Sequence, residues 1–435
     1  MEAGLFRFLR FSLGLEGEAK GLLDGRKGSF DWDACYQFAK RQTLVGVLFD
    51  GIQRLPKELA PARPLLLRWL SDSESIRRRN MRMDRASAYI YNMVCAAGFR
   101  CCILKGQGNA LLYPHPSSRT PGDVDVWVMA NREELRHIAL SLTEGDGSSL
   151  QESLNHIGLT VHGVSVELHS TPALLNSPLH NSRLQKWLKR NADLQCSNRI
   201  ALPNNAGKVA VPTVSFNIIY QLCHLFHHCF YEGVGLRQIV DYYLVLKNTD
   251  FSGNTDGGAG NTDRDEVLLN TDSTDFTDSS SGDFEGDGCL LNTDCADFLD
   301  SSSGGLGEVD SGGALVALQE ELKWLGLWEF AGAVMYVLRE VMGLDEKRMI
   351  CAPDERRGRL LLEEIMAGGN FGHYDTRNHF GQGALWHNIQ RFRRDWRMLR
   401  FYPSEALSEP LFRACHFLWR WKQKHIGMPK ERNLN

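Results

Sequence analysis

Aspartate and valine alternate at Asp123-Val124-Asp125-Val126, and the run continues as Trp127-Val128-Met129. Side chains at i and i+2 of a strand point to the same face. The alternation therefore predicts a strand over Val124–Met129 with two carboxylates side by side at its beginning. Like charges that close destabilise each other unless a cation sits between them. Carboxylates with an open side suit Mg²⁺, which takes oxygen ligands and keeps positions free for water and phosphate. Turn chemistry alone also accounts for Gly-Asp at the start of a strand, so the neighbouring residues have to decide. A short apolar run, Cys101–Leu104, leads into Lys105-Gly106, and a helix-compatible segment, Gln107 to Tyr113, follows. Arg119 lies in the loop before the aspartates, and Glu167 comes about forty residues after them in Ser165-Val166-Glu167-Leu168-His169.

The 435 residues are enough for two or three domains. The formal net charge of −4 hides an uneven distribution. Residues 248–313 hold sixteen Asp or Glu and one basic residue, Arg264, so the rest of the chain carries +11. A moderately basic body suits a polyanionic ligand such as a nucleotide. Within the acidic stretch, LLNTDSTDFTDSSSG (268–282) returns as LLNTDCADFLDSSSG (290–304), identical at twelve of fifteen positions. Few apolar groups and high charge cannot offset the entropy of ordering, so a disordered surface insertion is expected. A calcium-binding repeat is the competing reading, but the Asn-Thr-Asp triplets are unevenly spaced and the nonapeptide pattern is missing.

No apolar run reaches membrane-spanning length, and the N-terminal apolar start is interrupted by Arg7 and Arg10, as in an amphipathic helix. The eleven cysteines are scattered, without CxxC, which fits reduced thiols in a cytoplasmic chain. Helical spacing of apolar residues marks Asp31–Phe49 and Leu65–Cys95. Strands are expected at Cys101–Leu104, Val124–Met129, Gly158–His162 and Val164–Leu168, the last two joined by a turn at His162-Gly163. Arg132 to Leu142 reads as a helix between strands. The expected organisation is a helical region (1–100), an α/β core (101–182), a helical region (183–247), the acidic insertion (248–313) and a C-terminal helical region (314–435). The fold class is thus α+β: a small mixed sheet flanked by helices.

The string LKGQGNALLYPHPSSRTPGDVDVWV, with VELH after it, resembles the polymerase-beta-like nucleotidyltransferase superfamily. Within it, the likeness is to a bacterial nucleotidyltransferase family with LKG, LYP, Arg, DxD and (D/E)LH in that order. Asp31-Trp32, Ala39 and Gln42 upstream resemble it too, as do His224, His228, Arg237 and Asp241 downstream, and Gly369–Gly372 with Tyr402-Pro403. The resemblance implies metal-dependent transfer of an NMP from an NTP to an acceptor hydroxyl, with Mg²⁺ (or Mn²⁺) as cofactor. It implies that Asp123 and Asp125 hold metal and that Glu167 is the third carboxylate, orienting or deprotonating the acceptor. It also implies that Lys105, Gly106, Gln107 and Arg119 face the nucleotide. The acceptor stays open among a protein side chain, a small molecule, a sugar and an RNA end. The wider superfamily has Gly-Gly or Gly-Ser where this chain has Gly106-Gln107, which motivates an alternative: a catalytically weak nucleotide-binding or toxin-neutralising partner protein with the same fold.

Four other features compete with blander explanations. His224 and His228 stand at i and i+4, a zinc-ligand spacing, but the Glu of HExxH is absent; a helix packed near the nucleotide cleft is the better reading. Arg237 and Asp241 share that spacing, so either they pair along one helix or Arg237 faces the ligand. His169 is either a partner of the carboxylates or a hairpin-edge histidine. From Arg391 to Lys424, nine basic residues interleave with aromatics, and Arg stems lying over aromatic core residues explain this better than nucleic-acid binding.

Overall fold

A computed structural model describes residues 2–17, 30–249, 311–375, 377 and 384–426. The expected disordered insertion lies outside the described residues except at its two ends. The chain opens with α1 (Glu2–Ser12), α2 (Trp32–Arg41), α3 (Val45–Gln53) and the long α4 (Arg63–Ala96). The expected Asp31–Phe49 helix is two helices, because Thr43 takes a left-handed φ of 53° between them. Asp31 caps α2 by accepting from the Ala34 amide.

The α/β core follows: β1 (Cys101–Leu104), α5 (Gly106–Ala110), β2 (Val124–Val128), α6 (Arg132–Leu142), β3 (Gln151–Glu152), β4 (His156–Val161) and β5 (Val164–His169). The sheet order is β1-β2-β5-β4-β3, mixed, with β2 and β5 the parallel pair. His162 and Gly163 both have positive φ, 49° and 73°, and join β4 to β5 in a two-residue turn. That twist matches the flanking strands. The valines of β2 point away from Asp125 and Trp127, and every residue of the strand is buried. Helices α4 and α6 pack on the sheet. Trp127 stacks on Phe216 of α8 (Val214–Tyr231), which in turn stacks on Trp187 of α7 (Pro178–Ser197). The sheet is therefore covered on both faces.

A two-stranded ribbon, β6 (Arg199–Leu202) and β7 (Gly207–Ala210), stands in the stretch expected to be wholly helical. After α8 come α9 (Leu236–Lys247), α10 (Ser311–Trp324), α11 (Trp328–Met342), α12 (Glu355–Gly368), α13 (Ala384–Leu399) and α14 (Pro403–Ile426). Gln42 ties these regions together from a buried position: its amide donates to the Ile365 carbonyl at 3.0 Å and its oxygen accepts from the Leu236 amide at 2.9 Å. Among the described residues, no helix is long and apolar enough to cross a membrane. The nine described cysteines are free thiols, seven of them buried.

The C-terminal reading holds at Phe401, Tyr402 and Trp419, over which Arg356, Arg357 and Arg132 lie, and needs correction at other aromatics. Phe392 and Trp396 of α13, and Phe417 and Trp421 of α14, are more than half exposed rather than covered by arginine stems. Arg391 does lie over a ring, but it is that of Tyr231 on α8.

The loop Gly369–Gly372 closes against the end of α8. Gly372 has φ +67°, and a Cβ there would fall 2.1 Å from the Glu232 carbonyl oxygen. Gly372→Ala should therefore cost about 1–3 kcal/mol of stability, from backbone strain and overpacking together. Thermal melting checks this; an unchanged melting temperature would mean that the loop yields without cost.

Candidate functional site

The parallel pairing of β2 and β5 sets Asp125 directly opposite Glu167. Neighbours in register share a face, so the two carboxylates meet across the strands. Asp123 precedes β2 by one residue and is the more open of the two aspartates. Ligand oxygens of Asp123, Asp125 and Glu167 all lie within 4.8 Å of one another.

Two cationic groups partly compensate this charge. Lys105 Nζ is 3.0 Å from Asp125 Oδ2. His169 Nε2 is 3.1 Å from Asp125 Oδ1 and 3.3 Å from Glu167 Oε2. Burial alone would raise the Asp125 pKa, but Lys105 and His169 outweigh it and hold the carboxyl well below the usual range. Burial pulls the His169 imidazole down, yet its bonds to the two carboxylates push it up to about 9. Asp123 goes the other way: the Asp125 charge, then burial, raises its pKa, and Lys105 offsets only part. The three carboxylates thus retain an uncompensated repulsion at Asp123. An all-oxygen donor set with residual negative charge fits Mg²⁺ or Mn²⁺.

Backbone geometry explains how Lys105 reaches this site. Lys105 and Gly106 have consecutive positive φ angles, 50° and 25°. They turn the chain sharply from β1 into α5. A non-glycine residue held there costs about 1–3 kcal/mol, a strain typical of functional turns. Lys105 Nζ also lies 3.2 Å from His224 Nε2, and His224 Nε2 is 2.9 Å from His228 Nε2. Burial, then Lys105 and His228, hold the His224 pKa well below its ordinary value, so the ring is neutral and accepts from Lys105. The two α8 histidines thus connect to the carboxylates through Lys105.

Two expected nucleotide contacts are placed elsewhere. Arg119 is buried and makes a bidentate pair with Asp241 of α9, Nε to Oδ1 at 2.8 Å and Nη2 to Oδ2 at 2.7 Å. The Tyr113 hydroxyl donates to the same carboxylate at 2.7 Å. Arg237 does not pair along the helix with Asp241; its Nη1 donates to the Thr120 carbonyl at 2.8 Å. Asn80 of α4 donates to the Ser117 and Arg119 carbonyls, each at 2.8 Å. These contacts clamp the loop that delivers Asp123. Gln107 is also buried, and its amide donates to Asp84 of α4 rather than facing the carboxylates.

A family profile described as uncharacterised nucleotidyltransferase matches residues 28–257, more than half of the chain. The chain belongs to this nucleotidyltransferase family. Among solved structures, an antigenic nucleotidyltransferase-like protein from Paracoccidioides brasiliensis is similar at 15% identity, over 39% of this chain and 77% of that one, with a TM-score of 0.26. No curated protein matches the chain. The nucleotidyltransferase match spans the Lys105 turn, the aspartate pair, Glu167, the α8 histidines and the α9 residues that clamp the Asp123 loop. His156 is the neighbour that sequence reading missed. A lone histidine at the start of a strand gives no signal, and only the pairing of β4 with β5 brings it to Glu167.

Proposed function

We propose that this nucleotidyltransferase moves a nucleoside monophosphate from an NTP to an acceptor hydroxyl, with Asp123, Asp125 and Glu167 holding Mg²⁺ or Mn²⁺. The observation that carries the reading is the register of Asp125 against Glu167, which gathers three carboxylates at one sheet end. The cation would neutralise charge on the phosphate oxygens during in-line displacement of pyrophosphate. Glu167 is the least committed of the two strand carboxylates and orients the acceptor hydroxyl or takes its proton. Lys105 is held by Asp125 and His224 at the edge of the carboxylates, where its ammonium meets an incoming triphosphate. Arg119, Arg237 and Asp241 keep the Asp123 loop in place from behind. Gln107 turns toward Asp84, so its length does not obstruct the phosphates, which favours an active enzyme over a catalytically weak one.

Glu167→Gln tests the division of labour. Transfer of label from an α-³²P-NTP should fall below detection while nucleotide affinity, measured by equilibrium binding with Mg²⁺, stays within about threefold, since uniform binding and transition-state interactions separate this way. Loss of nucleotide binding together with transfer would mean that Glu167 serves only to anchor the metal that carries the nucleotide and has no separate part at the acceptor.

A further inference from the structure

We propose that His156, Glu167 and His169 form a binding site for a first-row divalent transition ion, such as Zn²⁺ or Cu²⁺, beside the aspartate pair. The site shares Glu167 with the transfer reading but is argued without it. His156 opens β4 and stands directly opposite His169 at the end of β5. Gly158 stands opposite Glu167, so no side chain at that position comes between the carboxylate and His156. Ligand atoms of all three residues lie within 4.8 Å of one another. His156 Nε2 is 3.7 Å from Glu167 Oε1, and His169 Nε2 is 3.3 Å from Glu167 Oε2.

The second observation concerns where the His156 proton sits. His156 Nδ1 lies 3.1 Å from Ser153 Oγ. The Ser153 hydroxyl donates its own proton to Asn155 Oδ1 at 3.2 Å. A serine hydroxyl has one proton, so Oγ accepts from Nδ1–H. The neutral ring then presents a bare Nε2 lone pair toward Glu167. A lone pair facing a carboxylate repels it, and a cation between them turns both into ligands. Orientation of a ligating histidine through its other ring nitrogen is the usual support of a metal site. Two imidazoles and one carboxylate suit transition ions, whereas Mg²⁺ takes oxygen. The ion takes the place of the His169 Nε2 proton, which is released to solvent on binding.

Titration calorimetry with Zn²⁺ and pulsed electron paramagnetic resonance with Cu²⁺, which takes imidazole nitrogen, test this on the full chain. Wild type should show coupling to directly bound histidine nitrogen. His156→Asn should weaken Zn²⁺ at least about tenfold and Ser153→Ala by about tenfold, the effect expected from a lost ligand and a lost orienting group. Both variants should melt like wild type in EDTA, which separates lost ligation from lost folding. Asp123→Asn should leave Zn²⁺ affinity within about threefold. Absent nitrogen coupling, or wild-type Zn²⁺ affinity in both His156→Asn and Ser153→Ala, would overturn the proposal and leave any ion on the carboxylates alone. Nitrogen coupling in a protein that transfers no nucleotide would support the metal site and count against the transfer reading only.

Discussion

Asp123→Asn should lower nucleotidyl transfer about a thousandfold, and in EDTA it should melt at or above the wild-type temperature. The two effects have one cause. Asp123 carries a negative charge that the apo protein does not want: the neighbouring Asp125 carboxylate, then burial, raise its pKa. A group whose pKa is raised on folding favours its neutral form, so replacing the carboxylate by an amide removes a repulsion. The same carboxylate is one of the three that would hold the cation. Metal-ion stabilisation of a phosphoryl transition state is worth several kcal/mol, and about 4 kcal/mol corresponds to a thousandfold in rate. Mg²⁺ should accordingly raise the melting temperature of wild type but not of the variant. A variant that melts well below wild type in EDTA would show that Asp123 is structural, and its lost activity would then say nothing about metal.

Asp241→Ala should cost roughly 3–5 kcal/mol of stability, the penalty for leaving one member of a buried ion pair uncompensated. Arg119 is 3% exposed and keeps its charge because Asp241 outweighs the effect of burial. Removing Asp241 strands that guanidinium and also takes the acceptor of the Tyr113 hydroxyl. The double replacement Arg119→Met with Asp241→Leu should recover most of the loss, because an apolar pair of similar volume avoids the desolvation of two charges. Chemical denaturation of the single and double variants measures both. A single variant within 1 kcal/mol of wild type would mean that Arg119 reaches solvent, and that its expected place at the phosphates deserves a second test.

The strands and the carboxylates were legible because they rest on short-range patterns. Alternation along β2 put Asp125 on one face, and His162-Gly163 marked the hairpin that returns β5 beside it. The position of Glu167 opposite Asp125 needed the parallel pairing as well; the family resemblance implied a third carboxylate at Glu167 but not that pairing. The Arg119–Asp241 pair was not legible for a physical reason. A basic residue between a lysine and an aspartate pair suits a phosphate equally well as a buried carboxylate, and its true partner is 122 residues away on α9. Gln107 met Asp84 of α4 in the same way, across elements whose packing no local pattern reports. The β6–β7 ribbon was hidden because each strand has only four residues and lies between two long helices. Its turn residues Asn204 and Asn205, both with positive φ, were the available signal. The aromatics of α13 and α14 have helical spacing, but spacing cannot tell which neighbour covers a face.

Label transfer tests the central claim most directly. The purified protein would be incubated in cell extract with Mg²⁺ or Mn²⁺ and each α-³²P-NTP in turn, beside Asp123→Asn/Asp125→Asn. Label should move to a macromolecule or small molecule with wild type alone, and the labelled species would name the acceptor class. Equal labelling, or none, in wild type and the double variant across all four nucleotides would contradict nucleotidyl transfer by this site.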